Sequence, residues 1–472
     1  MSKRLFIETV GCQMNVLDSE MVVASLRQRG YQLTSEPKLA DAILFNTCSV
    51  REHAEEKVYS SLGKLKRLKE TNPEKIIGVI GCMAQNHQRQ VFDRAPYVDM
   101  VVGPGQLHQI PQLLEDVAAG EGKQVEVSLG RKDGSLDQIK RSHETFDPLR
   151  DPEMRPTEYQ AYIRIQIGCD KFCTYCIVPM VRGPEQGRPP HQIIEEAKLV
   201  AEQGCLEVIL LGQTVNSYRY TEGDKTTRLS DLLRQLHEID GLKRLKFVTS
   251  YPKDMTLDLL ETIAELPKCS PYLHVPAQSG SNAVLERMKR GYTVEDYRDM
   301  MQRIRETIPG YAVSSDFIVG FSGETDEDFR QTLDLVEECR FKNSFIFKYS
   351  VRPGTKGAEQ LPDDIPDEVK KQRNQELLAV QNRISQEDNE KFLGERLDVL
   401  VEGPSKLGRN APDDQMVVQM MGRTHCDRIV VFEGNRRQAG QILPIAVHDA
   451  SSHTLFGSVI TEEVSSAVYS LG

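Results

Sequence analysis

Short apolar runs alternate with segments of helical period through most of this 472-residue chain. In the first part, the apolar runs cover residues 5–10, 41–47 and 75–80, and the helical period covers residues 19–29 and 53–70. Runs of this kind, separated by helices, predict buried parallel strands in a doubly wound sheet. Each run leads to a cysteine, namely Cys12, Cys48 and Cys82. Because ligands of such sheets bind at the carboxyl ends of the strands, we expect these three cysteines to meet.

Six further apolar runs predict the central fold. They cover residues 161–167, 207–211, 245–249, 272–275, 312–319 and 344–349, with helical periods at 192–203 and 293–307. Six β/α units indicate a partial (β/α)6 barrel. The stretch before them, residues 121–158, is rich in Gly, Asp, Lys and Pro and is interpreted as a linker. We therefore assign residues 1–120 to an amino-terminal domain and residues 159–388 to the barrel core.

The last part of the chain predicts a different architecture. A polar helix is expected over residues 367–392, followed by alternating runs at 397–401, 416–420 and 428–432. Gly and Pro punctuate these runs, which is typical of a small all-β barrel. We place this barrel at residues 389–465 and a tail at residues 466–472. The overall fold class is therefore α/β, with a small carboxyl-terminal β-barrel.

The composition limits the cellular compartments and the classes of partner that are expected for this protein. The formal net charge is −11, with 59 Lys and Arg against 70 Asp and Glu, which counts against indiscriminate nucleic-acid binding. No apolar stretch is long enough to span a membrane, and the start of the chain lacks signal-peptide features. A cytoplasmic monomer is therefore expected. Ten cysteines in such a protein indicate metal or redox chemistry rather than disulfides.

Three cysteines after the first core strand carry the clearest chemical signal. Cys169, Cys173 and Cys176 have the spacing Cys-x3-Cys-x2-Cys, at the rim where barrel active sites sit. This array suits three thiolates that hold three irons of a [4Fe–4S] cluster and leave the fourth iron open. Structural zinc prefers four ligands in two pairs, and the sequence offers no nearby second pair. Three unrelated loop cysteines are the other alternative.

These motifs together resemble the radical S-adenosylmethionine (SAM) methylthiotransferase family over nearly the whole chain. The matching segments are residues 9–15, 18–20, 46–51, 81–85, 276–281, 316–321 and 349–355. The resemblance is strongest to the branch that acts on N(6)-dimethylallyladenosine beside the anticodon of tRNA. It implies an amino-terminal methylthiotransferase domain, a radical SAM core and a TRAM-type β-barrel.

The resemblance also implies the cofactors and partners. Cys169, Cys173 and Cys176 are expected to hold a [4Fe–4S] cluster that binds SAM. Cys12, Cys48 and Cys82 are expected to hold an auxiliary [4Fe–4S] cluster, although three buried strand-end cysteines are an alternative. One SAM would methylate sulfur on the auxiliary cluster, and a second would give a 5′-deoxyadenosyl radical. An electron donor such as a flavodoxin or ferredoxin, and donors of iron–sulfur and sulfide, are expected.

Further residues are candidates for contact with SAM or its adenine. They are Tyr175, Gln213, Asn216, Gln278, Ser279 and Gly320. Each has a structural alternative, as a core aromatic residue or as part of a tight turn at a strand end. Arg182 and Arg188 are candidates for substrate contact, with a solvated loop as the default interpretation. Cys205, Cys269, Cys339 and Cys426 lack metal-ligand spacing and are interpreted as packing residues.

Basic residues form several groups, although residues 386–472 hold only 8 Lys and Arg against 13 Asp and Glu. Those near the last core strand are Arg340, Lys342, Lys348, Arg352 and Lys356, and those in the linker are Arg131, Lys132, Lys140 and Arg141. The candidates for RNA contact in the β-barrel are Arg423, Arg428, Arg436 and Arg437. A charge cluster is more often a solvated surface than a phosphate site.

Three rival functions differ in substrate or in class. The branch acting on threonylcarbamoyl-adenosine is expected to have Lys-Val-Asn in place of Gln13-Met14-Asn15. The branch modifying a ribosomal protein is expected to have Pro-Lys-Asn there. A non-catalytic iron–sulfur protein that binds RNA or transfers electrons would not cleave SAM.

Overall fold

A six-stranded parallel sheet forms the amino-terminal domain of the computed structural model, which describes residues 3–49, 52–127, 150–155, 157–412 and 414–460. Its strand order is β2-β1-β3-β4-β5-β6, and every neighbouring pair is parallel. The strands are β1 (Arg4–Val10), β2 (Gln32–Leu33), β3 (Ala42–Thr47), β4 (Ile76–Gly81), β5 (Met100–Val102) and β6 (Gln124–Glu126). The predicted doubly wound sheet is confirmed, and the sheet extends beyond residue 120 through β6.

Helices cover both faces of this sheet. They are α1 (Gln13–Gln28), α2 (Glu52–Thr71), α3 (Cys82–His87), α4 (Gln90–Arg94) and α5 (Ile110–Ala118). Every residue of β3 and β4 is buried, as expected for a parallel sheet covered on both sides. Leu44 points into one apolar core with α1 and α5, whereas Ile43 and Phe45 point into the other with α2.

The central domain contains six parallel core strands in two sheets. The strands of the domain are β7 (Gln160–Arg164), β8 (Gln166–Ile167), β9 (Gln186–Gly187), β10 (Glu207–Leu211), β11 (Arg219–Glu222), β12 (Lys225–Arg228), β13 (Arg244–Phe247), β14 (Tyr272–His274), β15 (Ala312–Val319) and β16 (Asn343–Lys348). One sheet has the order β13-β10-β7 and the other β14-β15-β16. An isolated parallel bridge between Leu245 and Cys269 spans the seam, which completes the predicted partial barrel.

Helices alternate with these strands and enclose one continuous apolar core. They are α6 (Val178–Val181), α7 (Pro190–Glu202), α8 (Leu229–His237), α9 (Leu257–Glu265), α10 (Asn282–Arg287), α11 (Val294–Thr307), α12 (Asp326–Cys339), α13 (Lys356–Gln360) and α14 (Asp367–Glu390). Helix α14 matches the predicted polar helix closely. Among the described residues, no helix combines the length and apolarity that crossing a membrane requires.

A closed five-stranded barrel follows α14, as predicted. Its order is β17-β18-β19-β21-β20, with strands β17 (Arg396–Pro404), β18 (Val418–Thr424), β19 (Ile429–Gly434), β20 (Ile442–Ala450) and β21 (Thr454–Val459). Closure removes exposed strand edges. The run predicted at 416–420 begins two residues too early, because Met416 and Val417 are 76% and 55% exposed and lie before β18.

Buried ion pairs join the amino-terminal domain to the core. Arg150 donates to both carboxylate oxygens of Glu20 on α1, at 2.7 and 3.0 Å, and also to Glu196 on α7. Arg155 adds a third contact to Glu20 at 3.3 Å. All of these side chains are almost fully buried, so the contact between the two domains depends on charges that must neutralise one another.

We expect Arg150→Ala to lower the free energy of unfolding by about 3–5 kcal/mol, because Glu20 would be left as an undercompensated buried charge. Chemical denaturation followed by circular dichroism measures this change. The control is Arg29→Ala, which breaks an exposed pair with Glu115 and should cost less than about 1 kcal/mol. Equal effects of the two substitutions would contradict the structural role of the buried pairs.

Candidate cluster-binding site

The first cysteine triad lies at the carboxyl ends of three neighbouring strands. Cys12 follows β1 and caps α1, Cys48 follows β3, and Cys82 begins α3 directly after β4. The chain order of the strands reverses between β1 and β3, which is where doubly wound sheets bind ligands. With Cys12 as its N-cap, helix α1 begins at Gln13, six residues earlier than predicted. The structure brings the three cysteines to one edge, as the sequence predicts.

Two asparagines fix the loops that carry these cysteines. Asn15 Nδ2 donates to Asn46 Oδ1 at 2.9 Å, and Asn46 Nδ2 donates back to the Asn15 carbonyl at 2.8 Å. The Cys12 amide donates to Asn15 Oδ1 at 3.3 Å. A Cβ atom on Gly11 would lie 3.0 Å from Cys48 Cβ, so the two cysteine loops are already in close approach.

The thiols of this triad lie in unequal electrostatic surroundings. A hydrogen bond with the Cys48 thiol, helped by the Arg182 guanidinium, lowers the pKa of Cys12 to about 6 against the opposing effect of burial. Burial instead raises the pKa of the Cys82 thiol, although Arg182 Nε donates to Cys82 Sγ at 3.1 Å. The surroundings of Cys12 thus favour its thiolate, which is the form that ligates iron.

The second triad occupies the loop between β8 and α6. Cys169 and Cys173 are buried, and Cys176 is half-buried. Gly168, at φ +79°, allows the loop to start, because a Cβ atom there would lie 1.9 Å from the Pro184 carbonyl oxygen. The Cys176 amide donates to the Cys173 carbonyl at 3.0 Å, which closes the turn.

Burial opposes negative charge on this second triad. It raises the pKa of Cys176 to about 12, with a further contribution from Cys173, and it raises the pKa of Cys169. Arg290 is buried and donates through Nη1 to Cys173 Sγ at 3.2 Å. Three thiolates at this site would therefore need additional positive charge, which the irons of a cluster supply.

The first triad contacts the segment that follows the second triad. Cys82 packs in one apolar cluster with Ile177, which directly follows Cys176, and with Val181 on α6. In the described part of the chain, no three His, Cys, Asp or Glu side chains gather as tightly as a single metal ion requires. The number and spacing of the cysteines are therefore what favours two open cluster sites over tetrahedral zinc.

Two of the predicted SAM contacts present unused acceptors. Gln278 Oε1 and Gln213 Oε1 are buried and have no hydrogen-bond partner among the residues that the structure describes. Gln278 also has a φ of +71°, a conformation that a non-glycine residue rarely adopts without a reason. Tyr175 lies edge-on to Phe321, and its ring centroid is 6.4 Å from that ring. Because buried acceptors are normally hydrogen-bonded, we expect donor groups of a bound ligand to pair with these two glutamine oxygens.

The other three predicted contacts are engaged within the protein. Asn216 exchanges two hydrogen bonds with the Tyr251 backbone, at 2.7 and 2.8 Å. Ser279 Oγ accepts from the Ser281 amide at 3.2 Å. Gly320 has a φ of +69°, and a Cβ atom there would lie 2.3 Å from Lys370 Cγ. Their contact with SAM stays a prediction, and their visible role is to shape the rim.

The solvated-loop interpretation of Arg182 and Arg188 is wrong. Both side chains are buried. Arg182 donates to Cys82 and to Asp18, and Arg188 donates to Glu196, so the two carboxylates offset the cost of burying the cations. Arg290 was missed, since no motif marks it. Cys205, Cys269 and Cys339 are buried as predicted, and Cys426 is half-buried.

The prediction that Arg428 belongs to an exposed basic group on the β-barrel is wrong, whereas RNA contact by Arg423, Arg436 and Arg437 stays a prediction. Arg428 is buried, donates to Asn389 at 2.5 Å, and lies 4.4 Å from the Phe392 ring centroid. Arg423 pairs with Glu402 at 3.0 Å, and Arg436 donates to the Ala411 carbonyl at 3.0 Å. Of the four candidates, only Arg437 is exposed.

The other predicted basic groups, near the last core strand and in the linker, differ in how far their side chains are paired or exposed. Three residues near β16 pair with acids: Arg340 with Glu387, Lys342 with Asp427, and Lys348 with Asp367. Lys356 is exposed and Arg352 is half-buried. The linker group, Arg131, Lys132, Lys140 and Arg141, lies outside the described residues.

A cavity of about 730 Å³ is lined by residues of the amino-terminal domain, the core and the β-barrel. The amino-terminal domain contributes Gln13 to the lining of the cavity. The inward-facing core residues are Tyr162, Ile209, Val248, His274, Asp316, Phe345 and Phe347. Glu402, Arg409 and Arg423 close the barrel end. The sequence could not show this cavity, because residues from all three domains form it.

Three family models match successive parts of the chain. Residues 4–103 match an uncharacterized protein family designated UPF0004, residues 163–336 match the radical SAM superfamily, and residues 390–460 match the TRAM domain. Among solved structures, the radical SAM methyltransferase TsrM from Kitasatospora setae gives a TM-score of 0.56 at 14% identity, covering 76% of this chain and 74% of that one. This likeness supports the fold.

Curated relatives match the chain over its length. The tRNA-2-methylthio-N(6)-dimethylallyladenosine synthase of Rhodopirellula baltica is 66% identical, covering 98% of this chain and 97% of that protein. The protein of the same name from an Acidovorax species is 44% identical, covering 99% and 100%. The chain therefore belongs to the tRNA-2-methylthio-N(6)-dimethylallyladenosine synthase family.

Proposed function

We propose that this chain inserts a methylthio group at carbon 2 of N(6)-dimethylallyladenosine beside the anticodon of a tRNA. The observation that carries this proposal is the packing of Cys82, from the first triad, against Ile177 and Val181 in the segment that follows the second triad. Sulfur delivery to an unactivated aromatic carbon needs a radical source and a sulfur carrier within one site. Neither triad alone would meet that requirement.

Each triad has its own role in this proposal. Cys169, Cys173 and Cys176 hold the cluster that binds SAM, and Cys12, Cys48 and Cys82 hold the auxiliary cluster. When bound, the clusters would supply a sulfur carrier at the first triad and reductive cleavage of SAM at the second. The protein contributes orientation and charge. Arg290 donates to Cys173 Sγ, and burial keeps the Tyr175 phenol neutral by raising its pKa.

The SAM molecule is held by the rim of the core. Gln213 and Gln278 each offer a buried carboxamide oxygen that no donor in the described part of the chain reaches, and SAM carries amino and hydroxyl donors. Leaving such acceptors unpaired costs about 1–3 kcal/mol each, so a bound donor is favoured there. Asn216, Ser279 and Gly320 fix the loops around this position.

The central cavity is the proposed site of the target adenosine. Its volume lies within the usual range for small-molecule sites, and Phe345, half exposed into it, offers an aromatic surface to the base or its substituent. Its lining holds five carboxylates against three Lys and Arg side chains. An uncharged dimethylallyl group suits this surface, whereas the carboxylate of a threonylcarbamoyl group would meet net negative charge.

We expect Phe345→Ala to reduce kcat/KM for the dimethylallylated tRNA about tenfold, which corresponds to about 1.4 kcal/mol of lost apolar contact. The measurement is the initial rate of methylthio-nucleoside formation. Leu257→Ala, which truncates an equally exposed apolar side chain outside the cavity lining, is the control and should retain the rate. An unchanged rate for Phe345→Ala would place the adenosine elsewhere.

Exposed cations near the cavity mouth are the proposed phosphate contacts of the β-barrel. Lys406, Arg409 and Arg437 are exposed, and Arg409 also lines the cavity. Removing the barrel outright would not test this idea cleanly. Arg244 donates to barrel carbonyls, and Asp427 of the barrel pairs with the buried Lys246, so truncation would damage the core.

We therefore expect Arg409→Gln to weaken tRNA binding and to reduce the slope of log K against log salt by about 0.9, the value for one lost phosphate contact. Binding titrations at several salt concentrations measure the slope. Arg383→Gln, a change at an exposed cation on α14 that pairs with Glu337, serves as the control. The same slope in both variants would rule out Arg409 as a phosphate contact.

Further partners follow from the chemistry. The reduction step needs an electron donor such as a flavodoxin or ferredoxin, and each catalytic cycle needs fresh sulfide. Together with donors of iron–sulfur clusters, these are cytoplasmic partners, and a monomer with all three domains in contact is the proposed working unit.

Nucleoside mass spectrometry tests the proposed function directly. The holoprotein, with SAM, sulfide and reductant, is expected to add a methylthio group to tRNA carrying N(6)-dimethylallyladenosine. It should leave tRNA carrying threonylcarbamoyl-adenosine, and ribosomal protein, unmodified. Modification of either alternative substrate in preference to the first would overturn the substrate assignment, and absence of SAM cleavage would indicate a non-catalytic protein.

A further inference from the structure

Arg182 belongs to the core, but its guanidinium lies among the cysteines of the amino-terminal domain. It caps the carboxyl end of α6, six residues after Cys176. Its Nε donates to Cys82 Sγ at 3.1 Å, and its Nη2 donates to Asp18 Oδ2 at 2.7 Å. One core residue therefore contacts both a thiol and a buried carboxylate of the amino-terminal domain.

The surroundings of Arg182 are buried and charged. Arg182 is 2% exposed, and its Nη1 is buried without a hydrogen-bond partner among the described residues. Asp18, which is fully buried, also accepts a hydrogen bond from Arg164 Nη1 at 3.4 Å. Two buried guanidinium groups thus contact one carboxylate. Since burial of a cation is costly, an anionic sulfur at Cys82 would add to the neutralisation that Asp18 gives Arg182.

The nearby glutamates pair with other cations. Arg188 and Arg150 both pair with Glu196, and Arg150 also pairs with Glu20. Arg155 is a further cation on Glu20. Among the described residues, Asp18 is therefore the carboxylate that pairs with Arg182.

We propose that Arg182 is a positioning residue that supplies, from the core domain, the positive charge for the auxiliary cluster held by Cys12, Cys48 and Cys82, and thereby raises its reduction potential. This inference rests on the proposed auxiliary cluster. Reduction adds one electron to a cluster, and a cation with an N–H···S hydrogen bond favours that more negative form. The potential of the cluster in one domain therefore depends on the docking of the other.

Arg290 provides a useful contrast. It donates to Cys173 Sγ at 3.2 Å, but it belongs to the same domain as that cysteine. It also shares its donors with the Pro276 carbonyl, at 3.1 Å, and with Tyr292 Oη, at 2.9 Å. Of these two N–H···S contacts, the one from Arg182 crosses the domain boundary. Its carboxylate partner, Asp18, also allows the local charge to be changed in the opposite direction by substitution.

The test uses the full-length chain carrying Cys169→Ala, Cys173→Ala and Cys176→Ala, in which the auxiliary cluster is the only one expected. Redox titration followed by electron paramagnetic resonance gives its midpoint potential. Arg182→Met should shift the potential to a more negative value, and Arg182→Lys should restore most of the shift. Asp18→Asn, which leaves more uncompensated positive charge, should shift the potential in the positive direction.

The opposite signs separate electrostatics from damage to the fold, because general disruption has no reason to move the two variants in opposite directions. An unchanged potential in Asp18→Asn, or a shift in the negative direction, would overturn the role of Arg182 even where Arg182→Met does not fold. Failure of the parent triple variant to bind any cluster would instead overturn the auxiliary-cluster assignment itself. Iron and sulfide analysis distinguishes the two failures.

Discussion

Replacing Cys12, Cys48 and Cys82 together with alanine is expected to abolish methylthiolation and to leave reductive cleavage of SAM intact. The three thiols form the proposed sulfur-carrier site, whereas the triad in the loop before α6 is untouched. Formation of the methylthio-nucleoside should fall below detection, and 5′-deoxyadenosine should still form. Liquid chromatography with mass spectrometry measures both products in one reaction.

Cys426→Ala provides the control for this triple variant, because Cys426 is half-buried in the β-barrel and lies in neither triad. It should retain both products. Loss of 5′-deoxyadenosine in a folded triple variant would show that the two triads do not divide the chemistry as proposed.

Replacing Cys169, Cys173 and Cys176 with alanine is expected to abolish both products. No thiolate would then remain to hold the cluster that cleaves SAM, and without the radical no sulfur reaches carbon 2. Anaerobically reconstituted wild-type protein should hold about eight irons per chain, and this variant about four. Iron and sulfide analysis measures the loss.

The two triple variants check each other. Each should keep about four irons, but only the variant with an intact second triad should cleave SAM. A full complement of iron after loss of Cys169, Cys173 and Cys176 would contradict the assignment of that cluster.

The strand-end cysteines were predictable from sequence because their placement is local. A buried parallel strand reads as an apolar run, and the residue that follows it lies at the carboxyl edge of the sheet whatever the rest of the chain does. Cys12, Cys48 and Cys82 satisfy this rule. The same local logic located the loop of Cys169, Cys173 and Cys176.

The partners of these cysteines were not predictable. Periodicity treats an isolated arginine as solvated, and only the folded chain shows that Asp18 meets Arg182 from another domain. Arg428 shows the same difficulty in the β-barrel, where α14 returns Asn389 to cover it. Pairings of this kind join segments far apart in sequence, and no local pattern encodes them.

The predicted ends of helices and strands were wrong where a local contact or exposure overrides a weak hydrophobic periodicity. Helix α1 begins at Gln13 because Asn15 and Cys12 form a cap, although the apolar period begins later. Met416 and Val417 look like the start of a strand, but they stay exposed before β18. The sequence-based prediction names no run at β20 or β21. Pro444 lies within the apolar run of β20, and Thr454 and Ser458 interrupt that of β21.

The stoichiometry of the two SAM-derived products tests the central claim most directly. Holoprotein acting on tRNA with N(6)-dimethylallyladenosine should form, for each methylthio group, one S-adenosylhomocysteine from methyl transfer and at least one 5′-deoxyadenosine from radical formation. Both are measured with the modified nucleoside in a single quenched time course. Proportional growth of all three is the result we expect, and methylthio-nucleoside that accumulates without either SAM product would contradict the two-triad account.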